Sequence, residues 1–516
     1  MAGSESRKER RRQRKLAKKP KPGGAGPALQ DALAHHQAGR LKEAEQGYRK
    51  VLAAEPGLFE AHVNLGVVLQ GQGRLADAAE SFRSAAVLDP DYAEVHYALG
   101  TVLEELNEGD EAVACFRRAV EINPDYVEAL NGLAIGLQKQ GKPADAIETF
   151  ERALEIDPGF AEAHNNLGNL HHKEGRPDDA VAAFRRAIDI NPDYAEAHRN
   201  YSQVLLLSGR LDEGWREAQW RWKCRDFPSE KRDFPQPSWA GEPLAGKRIL
   251  VWGEQGVGDE VHFAAMVPDL LDAGAKVVLE SDPRLVPLFR RSFPGVECAP
   301  RETPPAAETG AEDIDFQAPS GNLGQWLRPD LESFPDPVPY LAADQARADG
   351  LRSKYREGGK DLLVGIAWIS KNPEIGKEKS MSLMDWWPLT ARTGIKFIDL
   401  QYGDTEEERR TFEKKTGVAV LHDGDIDQMA DLDAFAAQVA AMDLVVSVSN
   451  TTVHISGGLG RPTWVLLNSL PLPVWMLGRE DSPWYRSMRL FRQAEAGDWT
   501  DVVLRVEGEL GKFAAA

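Results

Sequence analysis

The feature that most constrains how this 516-residue chain folds is an internal repeat with a period of 34 residues. Prolines recur at this step, and so do small residues, aromatic residues and turn glycines. The four series are Pro56, Pro90, Pro124, Pro158 and Pro192; Ala44, Ala78, Ala112, Ala146 and Ala180; Tyr48, Phe82, Phe116, Phe150 and Phe184; and Gly39, Gly73, Gly141, Gly175 and Gly209. Agreement at so many positions indicates one structural unit repeated in tandem, in which each copy contacts its neighbours.

Each series has a physical role in such a unit. Small residues let two helices approach closely, the aromatic ring fills the gap between repeats, and the proline ends the second helix. A helix–turn–helix unit of this length is typical of tetratricopeptide repeats, so the sequence predicts an all-α solenoid over residues 28–222. Gly214 replaces the alanine in the last repeat. Trp215, Trp220 and Trp222 follow it and predict a cap that docks onto the next domain.

After a proline-containing segment, residues 223–245, which we interpret as a linker, apolar strands alternate with helical segments. The strand candidates are Arg248–Trp252, Lys276–Leu279, Leu362–Trp368, Lys396–Leu400, Asp443–Val448 and Thr463–Leu467. Such alternation favours parallel sheets with helices on both faces. We therefore predict an α/β domain of two Rossmann-like lobes, residues 246–345 and 346–495, with a hinge near 340–360 and a C-terminal helix in 496–516.

Charge and cysteine content narrow the class of protein. A tail of residues 1–27, which we predict to be disordered, contains ten Lys and Arg against two Glu, whereas the whole chain carries a net charge of −19. The remainder is therefore acidic, which argues against nucleic acid as the main partner. Three scattered cysteines match neither a metal site nor a disulfide framework. No stretch is apolar enough for an integral membrane segment or a secretory signal, so we expect a cytoplasmic protein.

The first candidate site is the glycine-bearing loop at residues 252–260, directly after a predicted strand. Its carboxylates, Glu254, Asp259 and Glu260, stand close to His262. A carboxylate at the mouth of a cleft can act as general base on a hydroxyl, although Asp259 would also serve as a helix cap. A dinucleotide-binding loop would need a small residue where Val261 stands. A dehydrogenase nevertheless stays an alternative, because Glu280 ends the second strand as a ribose-binding acid would.

The second candidate site is the loop after the strand at 443–448, and it predicts an anion site at a helix N-terminus. Its hydroxyls, amides and glycines suit a phosphate. The residues assigned to donor binding in this loop are Ser449, Asn450, Thr451, Thr452, His454, Gly457 and Gly458. His454 could donate a hydrogen bond or positive charge to a leaving phosphate. The alternative is a histidine packed inside the fold.

Several segments in this order carry a resemblance to a known family. They are Gly256–Glu260, Val364–Trp368, Asp399–Asp404, Asp443–Leu467, Asp481–Tyr485 and Met488–Gln493. With these motifs, residues 246–495 resemble the heptosyltransferase-related GT-B glycosyltransferases. The fusion to a repeat array is similar to bacterial repeat-fused members, which include flagellin-modifying glycosyltransferases.

The resemblance implies a metal-independent, inverting transferase that uses a nucleotide-activated sugar as co-substrate and no cofactor. It places the catalytic base at Asp259, with Glu260 and His262 beside it. It places the donor phosphate at Thr451, Thr452 and His454, and a basic residue near Lys371; Gln401 lies in one matching motif and is assigned to donor binding. Asn450 and Thr452 depart from the residues usual in heptosyltransferases, Asp and Gly, so heptose is not assumed. Lys371, Lys377 and Lys379 share one loop. Either these lysines are simply solvated, or one of them neutralises the donor phosphate.

Acidic pairs between residues 423 and 433 are interpreted as a solvated loop and a helix start, with no metal site. The repeats offer a separate candidate site, because first-helix residues line the concave groove of such solenoids. Asparagines recur there in two neighbouring registers, Asn64, Asn166 and Asn200, and Asn131 and Asn165. Side-chain amides can pair with the backbone of an extended peptide. A similar ladder in O-GlcNAc transferases favours a protein acceptor, although asparagine is also ordinary at these positions.

These observations together predict a glycosyltransferase that modifies a hydroxyl of a protein acceptor, flagellin-like by the resemblance. The alternatives are a non-catalytic repeat scaffold that retains the sugar-nucleotide fold, a glycan-directed enzyme and a sugar-nucleotide epimerase.

Overall fold

The computed structural model describes residues 26–336, 338–372 and 375–515. Residues 1–25, which hold the predicted basic tail, lie outside this range. The chain divides into two compact units, the first ending at Tyr194 and the second spanning Ala195–Ala516. No helix in the described ranges combines the length and the apolar character that a membrane crossing requires.

The first unit is the helical solenoid that the repeat predicts. Its helices are Pro27–Gln37, Leu41–Ala54, Phe59–Gly71, Leu75–Leu88, Ala93–Glu105, Gly109–Ile122, Val127–Lys139, Pro143–Ile156, Ala161–Lys173 and Pro177–Ile190. The periodic aromatics are buried, and the structure shows why glycine stands opposite them. A Cβ on Gly66 would lie 2.7 Å from the Phe82 ring, and one on Gly168 would lie 2.7 Å from the Phe184 ring. Small residues at these positions therefore let the helices close on the rings.

The turn between the two helices of a repeat requires a left-handed backbone. The periodic turn glycines have φ between 69° and 77°. The series is interrupted only at Asn107, which has φ 62°. Asparagine tolerates this conformation better than other residues with a side chain, which explains why the turn persists there.

The second unit begins with helices Ala195–Leu207 and Leu211–Ala218 and the 3₁₀ turn Gln219–Lys223. In the sequence these elements continue the repeat array. In the structure they pack onto the α/β domain. Trp215 Nε1 donates to the carbonyl of Arg328 at 3.0 Å, and Leu477 N donates to the carbonyl of Leu207 at 2.8 Å. The compact units therefore divide after Tyr194, whereas the sequence placed the boundary at 222. The docking cap that the tryptophans predicted is present.

The segment 223–245, interpreted from its prolines as a linker, also packs against this domain. Trp239 N donates to the Gln317 carbonyl at 2.9 Å, and Phe234 lies against Trp252 in a buried cluster. A proline-rich composition predicts irregular backbone, and irregular backbone can still be held by buried side chains.

Two parallel sheets form the α/β domain. The first contains β1 (Arg248–Trp252), β2 (Lys276–Ser281), β3 (Glu297–Pro300) and β4 (Phe316–Pro319) in the order β3-β2-β1-β4. The second contains β5 (Leu362–Ala367), β6 (Ile395–Asp399), β7 (Val420–Leu421), β8 (Leu444–Val448), β9 (Thr463–Leu467) and β10 (Met488–Arg492) in the order β10-β9-β8-β5-β6-β7. Two such lobes are consistent with a GT-B-like domain. All six predicted strands are present.

The helices of this domain are Val257–Phe263, Val267–Asp272, Val286–Ser292, Gly324–Leu327, Gln345–Arg356, Gly376–Lys379, Trp387–Thr390, Glu406–Thr416, Leu432–Ala440, Thr451–Gly458 and Thr500–Ala515. Short 3₁₀ turns span Ala264–Met266, Ala307–Gly310, Ser320–Asn322, Leu383–Trp386 and Pro473–Trp475. Helix Gln345–Arg356 occupies the predicted hinge near 340–360. The C-terminal helix packs on the second sheet, where Val502, Val503, Val506 and Leu510 are buried.

Candidate functional site

The two glycine-bearing loops, one from each sheet, meet within the second unit. Helix Val257–Phe263 follows β1, helix Thr451–Gly458 follows β8, and the two helices pack against each other. Gly258 lies where the two helices are in contact. A Cβ at that position would be 3.2 Å from Thr451 Oγ1 and 3.5 Å from His454 Cδ2. A Cβ at position 258 would therefore crowd the second helix, which glycine avoids. Side chains near this contact form what we call the interlobe site: Asp259 of the first loop, Thr451 and His454 of the second, and Lys379 from the segment after β5.

Asp259 is half-buried at the start of its helix. Its Oδ2 accepts a hydrogen bond from Gly256 N, the N-cap amide of the helix, at 3.0 Å. Burial raises the pKa of Asp259 to about 6, and the Gly256 hydrogen bond and the charge of Lys379 offset part of this rise. The side chain thus caps the helix and is also more basic than an ordinary aspartate. The two interpretations drawn from the sequence are therefore compatible.

Lys379 is the cation of this site, and the sequence did not single it out. The side chain is only 4% exposed. Burial lowers its pKa to about 8, and the charge of Asp259 opposes this change. Lys371, the residue assigned by resemblance, is exposed on the same loop. Its ammonium lies 5.8 Å from the centre of the Tyr402 ring.

The other two carboxylates of the first loop are engaged in the fold. Glu254 is fully buried and is held by Arg221 through bonds of 2.8 Å and 2.6 Å and by Gly321 N at 2.9 Å. Glu260 Oε2 accepts from Asp282 N at 2.7 Å, and its Oε1 lies 2.7 Å from Arg301 Nη1. Burial raises the pKa of Glu260 to about 7. Asp259 is therefore the only carboxylate of the loop that the structure brings to the interlobe site.

A small cavity lies behind the first loop, and Glu260, Glu280, Ser281 and Ser320 are among the residues that line it. Glu280, Ser281 and Ser320 each have a buried oxygen that finds no hydrogen-bond partner in the described part of the chain, whereas Glu260 Oε1 is paired with Arg301. Glu280 is fully buried and its carboxylate lies 2.6 Å from Arg232 Nη2. A buried, paired Glu280 is not positioned to bind a ribose, which weighs against the dehydrogenase alternative.

Most polar side chains of the second loop bind the fold itself. Asn450 Oδ1 caps the helix by accepting from Thr452 N at 3.0 Å, and Ser449 Oγ accepts from Trp475 Nε1 at 2.9 Å. Thr452 is fully buried. Gln401 Oε1 likewise accepts from two backbone amides after β5, at 2.9 Å and 2.7 Å. Thr451, half-buried at the first helical position, is the polar residue this loop presents to the site.

Gly457 and Gly458 lie at the other end of that helix. A Cβ on Gly457 would lie 2.5 Å from the Tyr485 ring, and one on Gly458 would lie 2.7 Å from Leu341. The structure therefore gives both glycines a packing role, away from the helix N-terminus where a phosphate would bind.

His262 and His454 are both buried and share one partner, Tyr485. The Tyr485 hydroxyl lies 3.1 Å from His262 Nδ1 and 2.9 Å from His454 Nδ1. Burial lowers the pKa of His454 to about 3 and that of His262 well below its ordinary value. Both imidazoles are therefore neutral at physiological pH, so His454 does not supply a positive charge to a phosphate.

The asparagines of the repeats divide between the units. Within the first unit Asn166 Nδ2 donates to Asn131 Oδ1 at 3.0 Å, which links neighbouring repeats. Asn64 and Asn165 are buried. Asn200 belongs to the second unit, on helix Ala195–Leu207.

The fold defines a tetratricopeptide-repeat protein with an α/β domain, and comparisons with known proteins agree with the repeat assignment. A family model of the tetratricopeptide repeat matches residues 63–127, 131–195 and 173–218. Protein FlbA of Caulobacter vibrioides is 34% identical over 328 residues, which cover 61% of this chain and 54% of FlbA. The chain thus spans about half the length of this curated relative.

Solved structures similar to the chain match a third of it. MamA is 30% identical and covers 32% of this chain and 96% of its own, with a TM-score of 0.31. YrrB, described as a tetratricopeptide-repeat protein with an unusual peptide-binding site, is 28% identical and covers 34% of this chain and 90% of its own, with a TM-score of 0.31.

Proposed function

We propose that this protein is a glycosyltransferase that moves a sugar from a nucleotide-activated donor to a hydroxyl of a protein acceptor held by its repeats. The observation that carries the proposal is that a basic carboxylate and a buried lysine lie together at the interlobe site. A half-buried carboxylate with a raised pKa, Asp259, lies in electrostatic range of a buried lysine, Lys379, beside a helix N-terminus.

The reaction assigns one task to each group. Asp259 takes the proton of the acceptor hydroxyl while the acceptor oxygen forms a bond to the anomeric carbon of the sugar. The bond from that carbon to the phosphate oxygen breaks, and the nucleotide leaves with the bonding electrons. Lys379 and the N-terminus of helix Thr451–Gly458 stabilise the negative charge that develops on the phosphate. No metal ion is needed for this charge balance.

The repeats support a protein acceptor. Solenoids of this kind present an extended concave surface suited to a peptide or protein. Asn131, Asn166 and Asn200 are partly exposed and have amide groups that can pair with a peptide backbone, whereas Asn64 and Asn165 are buried. A flagellin-like acceptor is part of the proposal and comes from the family resemblance alone.

The deciding experiment incubates the purified protein with a panel of nucleotides and nucleotide sugars and follows the melting temperature. A selective ligand raises stability in proportion to RT ln(1 + [L]/Kd). The stabilising nucleotide sugar is then tested for transfer to the native acceptor. Donor binding without transfer or hydrolysis would favour a non-catalytic scaffold, and donor turnover without any acceptor would favour an epimerase.

The pH dependence of transfer should be bell-shaped. Asp259 must be ionised to accept a proton, so kcat/KM rises as pH passes through about 6. Lys379 must be protonated to neutralise phosphate, so kcat/KM falls as pH passes through about 8. Initial rates measured from about pH 5 to about pH 9 cover both limbs of the profile and test this prediction. A flat profile across that span would contradict both roles.

Lys379→Met should weaken binding of the stabilising nucleotide about 10- to 100-fold, because a hydrogen bond to a charged group contributes roughly 1.5–3 kcal/mol. Lys371→Met is the matched control, since it removes the same charge from the exposed end of the same loop. Calorimetric titration compares the two. Equal losses in both variants would mean that the charge of the loop, and not the buried lysine, attracts the nucleotide.

A further inference from the structure

The backbone of the first loop contains a strained residue, Gln255. Its φ of 62° lies in the left-handed region, which costs free energy for a residue with a side chain. Such a conformation persists where the surrounding structure holds it, and it is often found at functional sites. The contacts that hold Gln255 therefore bear on how the loop presents Asp259.

The glycines of this loop do not share the left-handed conformation. None of Gly253, Gly256 and Gly258 has a φ in that region. A Cβ on Gly253 would lie 2.6 Å from the carboxyl carbon of Glu260, so close packing accounts for this glycine. Between residues 253 and 258 the left-handed conformation therefore falls on Gln255, where glycine would carry no steric cost.

Two consecutive amides of the loop have side-chain partners. Gln255 N donates to Ser229 Oγ at 2.6 Å, and Gly256 N donates to Asp259 Oδ2 at 3.0 Å. The backbone conformation of Gln255 sets the direction of one amide relative to the other. Ser229 comes from the segment 223–245, which packs against the α/β domain within the second unit. This serine therefore holds one side of the turn, and Asp259 is bound to the other side.

We infer that Ser229 is a positioning residue for Asp259: its hydroxyl holds the left-handed turn at Gln255, and the turn directs Gly256 N–H onto the carboxylate. This inference rests on the proposed function, in which Asp259 is the base, and it adds a residue from outside both glycine-bearing loops. Without the Ser229 oxygen, the left-handed conformation loses the contact that offsets its steric cost. The turn then relaxes, and Gly256 N–H moves away from the carboxylate.

Loss of the Gly256 hydrogen bond changes a measurable property of Asp259. Burial raises the pKa of Asp259 to about 6, and this hydrogen bond opposes the rise. The charge of Glu254 adds to the rise and the charge of Lys379 opposes it. The titratable groups around Asp259, which stay unchanged in the Ser229 variants, are Glu254, Lys379, His454 and Tyr485. Relaxation of the turn should therefore raise the pKa of Asp259 further.

Carbon-13 NMR of the full chain with labelled aspartate measures the pKa of Asp259 without relying on catalysis. An Asp259→Asn sample identifies its carboxyl resonance. Ser229→Ala should raise the pKa of Asp259 by about 0.5 to 1, as expected for the loss of one hydrogen bond to a carboxylate. Ser229→Thr keeps the hydroxyl and should retain the wild-type value. An unchanged pKa in Ser229→Ala would overturn the inference.

Ser238→Ala is the matched control, because it removes a hydroxyl of the same segment that does not contact the loop. Ser238 Oγ accepts from Gln317 Nε2 at 3.0 Å. We expect the pKa of Asp259 to stay at the wild-type value in this variant, even where the melting temperature falls as much as in Ser229→Ala. An equal rise of the pKa in both variants would assign the effect to general loosening of the segment and overturn the positioning role.

Gln255→Gly tests whether the effect passes through the strained turn. Glycine adopts the left-handed conformation without steric cost, so the Ser229 contact matters less in this background. Adding Ser229→Ala to Gln255→Gly should therefore raise the pKa of Asp259 by clearly less than it does in the wild-type background. Equal rises in the two backgrounds would show that Ser229 acts by another route, which contradicts the inference.

The pH profile of transfer separates this inference from the proposed function. In Ser229→Ala the rising limb of kcat/KM should move to higher pH, so the rate falls about 2- to 6-fold near pH 6 and changes little at about pH 7.5. A raised pKa of Asp259 with an unmoved limb would show that Ser229 positions a carboxylate that is not the base, and the proposed function fails. If neither changes while Asp259→Asn abolishes transfer, the proposed function stands and this inference fails.

Discussion

Asp259→Asn is expected to lower the rate of transfer by on the order of 10² to 10⁴, about 3 to 5 kcal/mol in the barrier, with donor affinity near that of the wild type. The substitution removes the basicity of the side chain. It keeps an oxygen that can accept from Gly256 N, so the helix cap is preserved. Steady-state kinetics and the melting temperature together separate a lost base from a lost cap.

Glu254→Gln and Glu260→Gln are the matched controls for this prediction. Both carboxylates are held in ion pairs, with Arg221 and Arg301, so these changes should lower stability more than rate. A collapse in rate for Glu260→Gln with a near-normal rate for Asp259→Asn would transfer the base to Glu260. Near-normal rates for all three would remove the first loop from the chemistry.

The fold could be predicted from the sequence wherever residues recur at a fixed repeat length or a strand is mostly apolar. The 34-residue step recurs in four independent series, and most of the six predicted strands have continuous apolar runs, such as the fully buried β8. The strands that were not predicted, β3, β4, β7 and β10, are short or interrupted by polar residues. Their pairing depends on neighbours far away in the chain.

The candidate site was only partly predictable, because the sequence shows residue types and not which way they face. Nothing in the sequence distinguishes Lys379 from Lys371 and Lys377. Only the folded loop shows that Lys379 is the buried one. Tyr485 contacts His262 from 223 positions away in the chain. By contrast, the glycines at 457 and 458 suggested a phosphate loop, whereas close packing against Tyr485 and Leu341 accounts for them.

The largest expected effect on stability concerns the segment that joins the last repeat to the first loop. Arg221→Ala should lower the free energy of unfolding by about 3–5 kcal/mol, because it leaves the fully buried carboxylate of Glu254 without its partner. Arg221 Nη2 also binds Asn322 at 2.7 Å, so one side chain ties the repeat, the first loop and the turn after β4 together. Denaturant unfolding of this variant and of Arg221→Ala/Glu254→Gln measures the effect. The double variant should recover part of the loss, since no buried charge remains unpaired.

The same ion pairs determine which truncated fragments of the chain can fold. A fragment of residues 195–516 keeps Arg221 and Arg232 with their buried partners Glu254 and Glu280. A fragment of residues 246–516 leaves both carboxylates buried and unpaired. Each broken pair lowers the free energy of unfolding by roughly 3–5 kcal/mol. The two losses together are comparable with the whole stability of a domain. We expect the longer fragment to fold and bind the stabilising nucleotide, and the shorter one to be unfolded by circular dichroism.

The longer fragment should also lose most transfer to the native protein acceptor, because it lacks the first unit. A folded 246–516 fragment would show that these ion pairs are dispensable, and full transfer by 195–516 would remove the repeats of the first unit from acceptor binding.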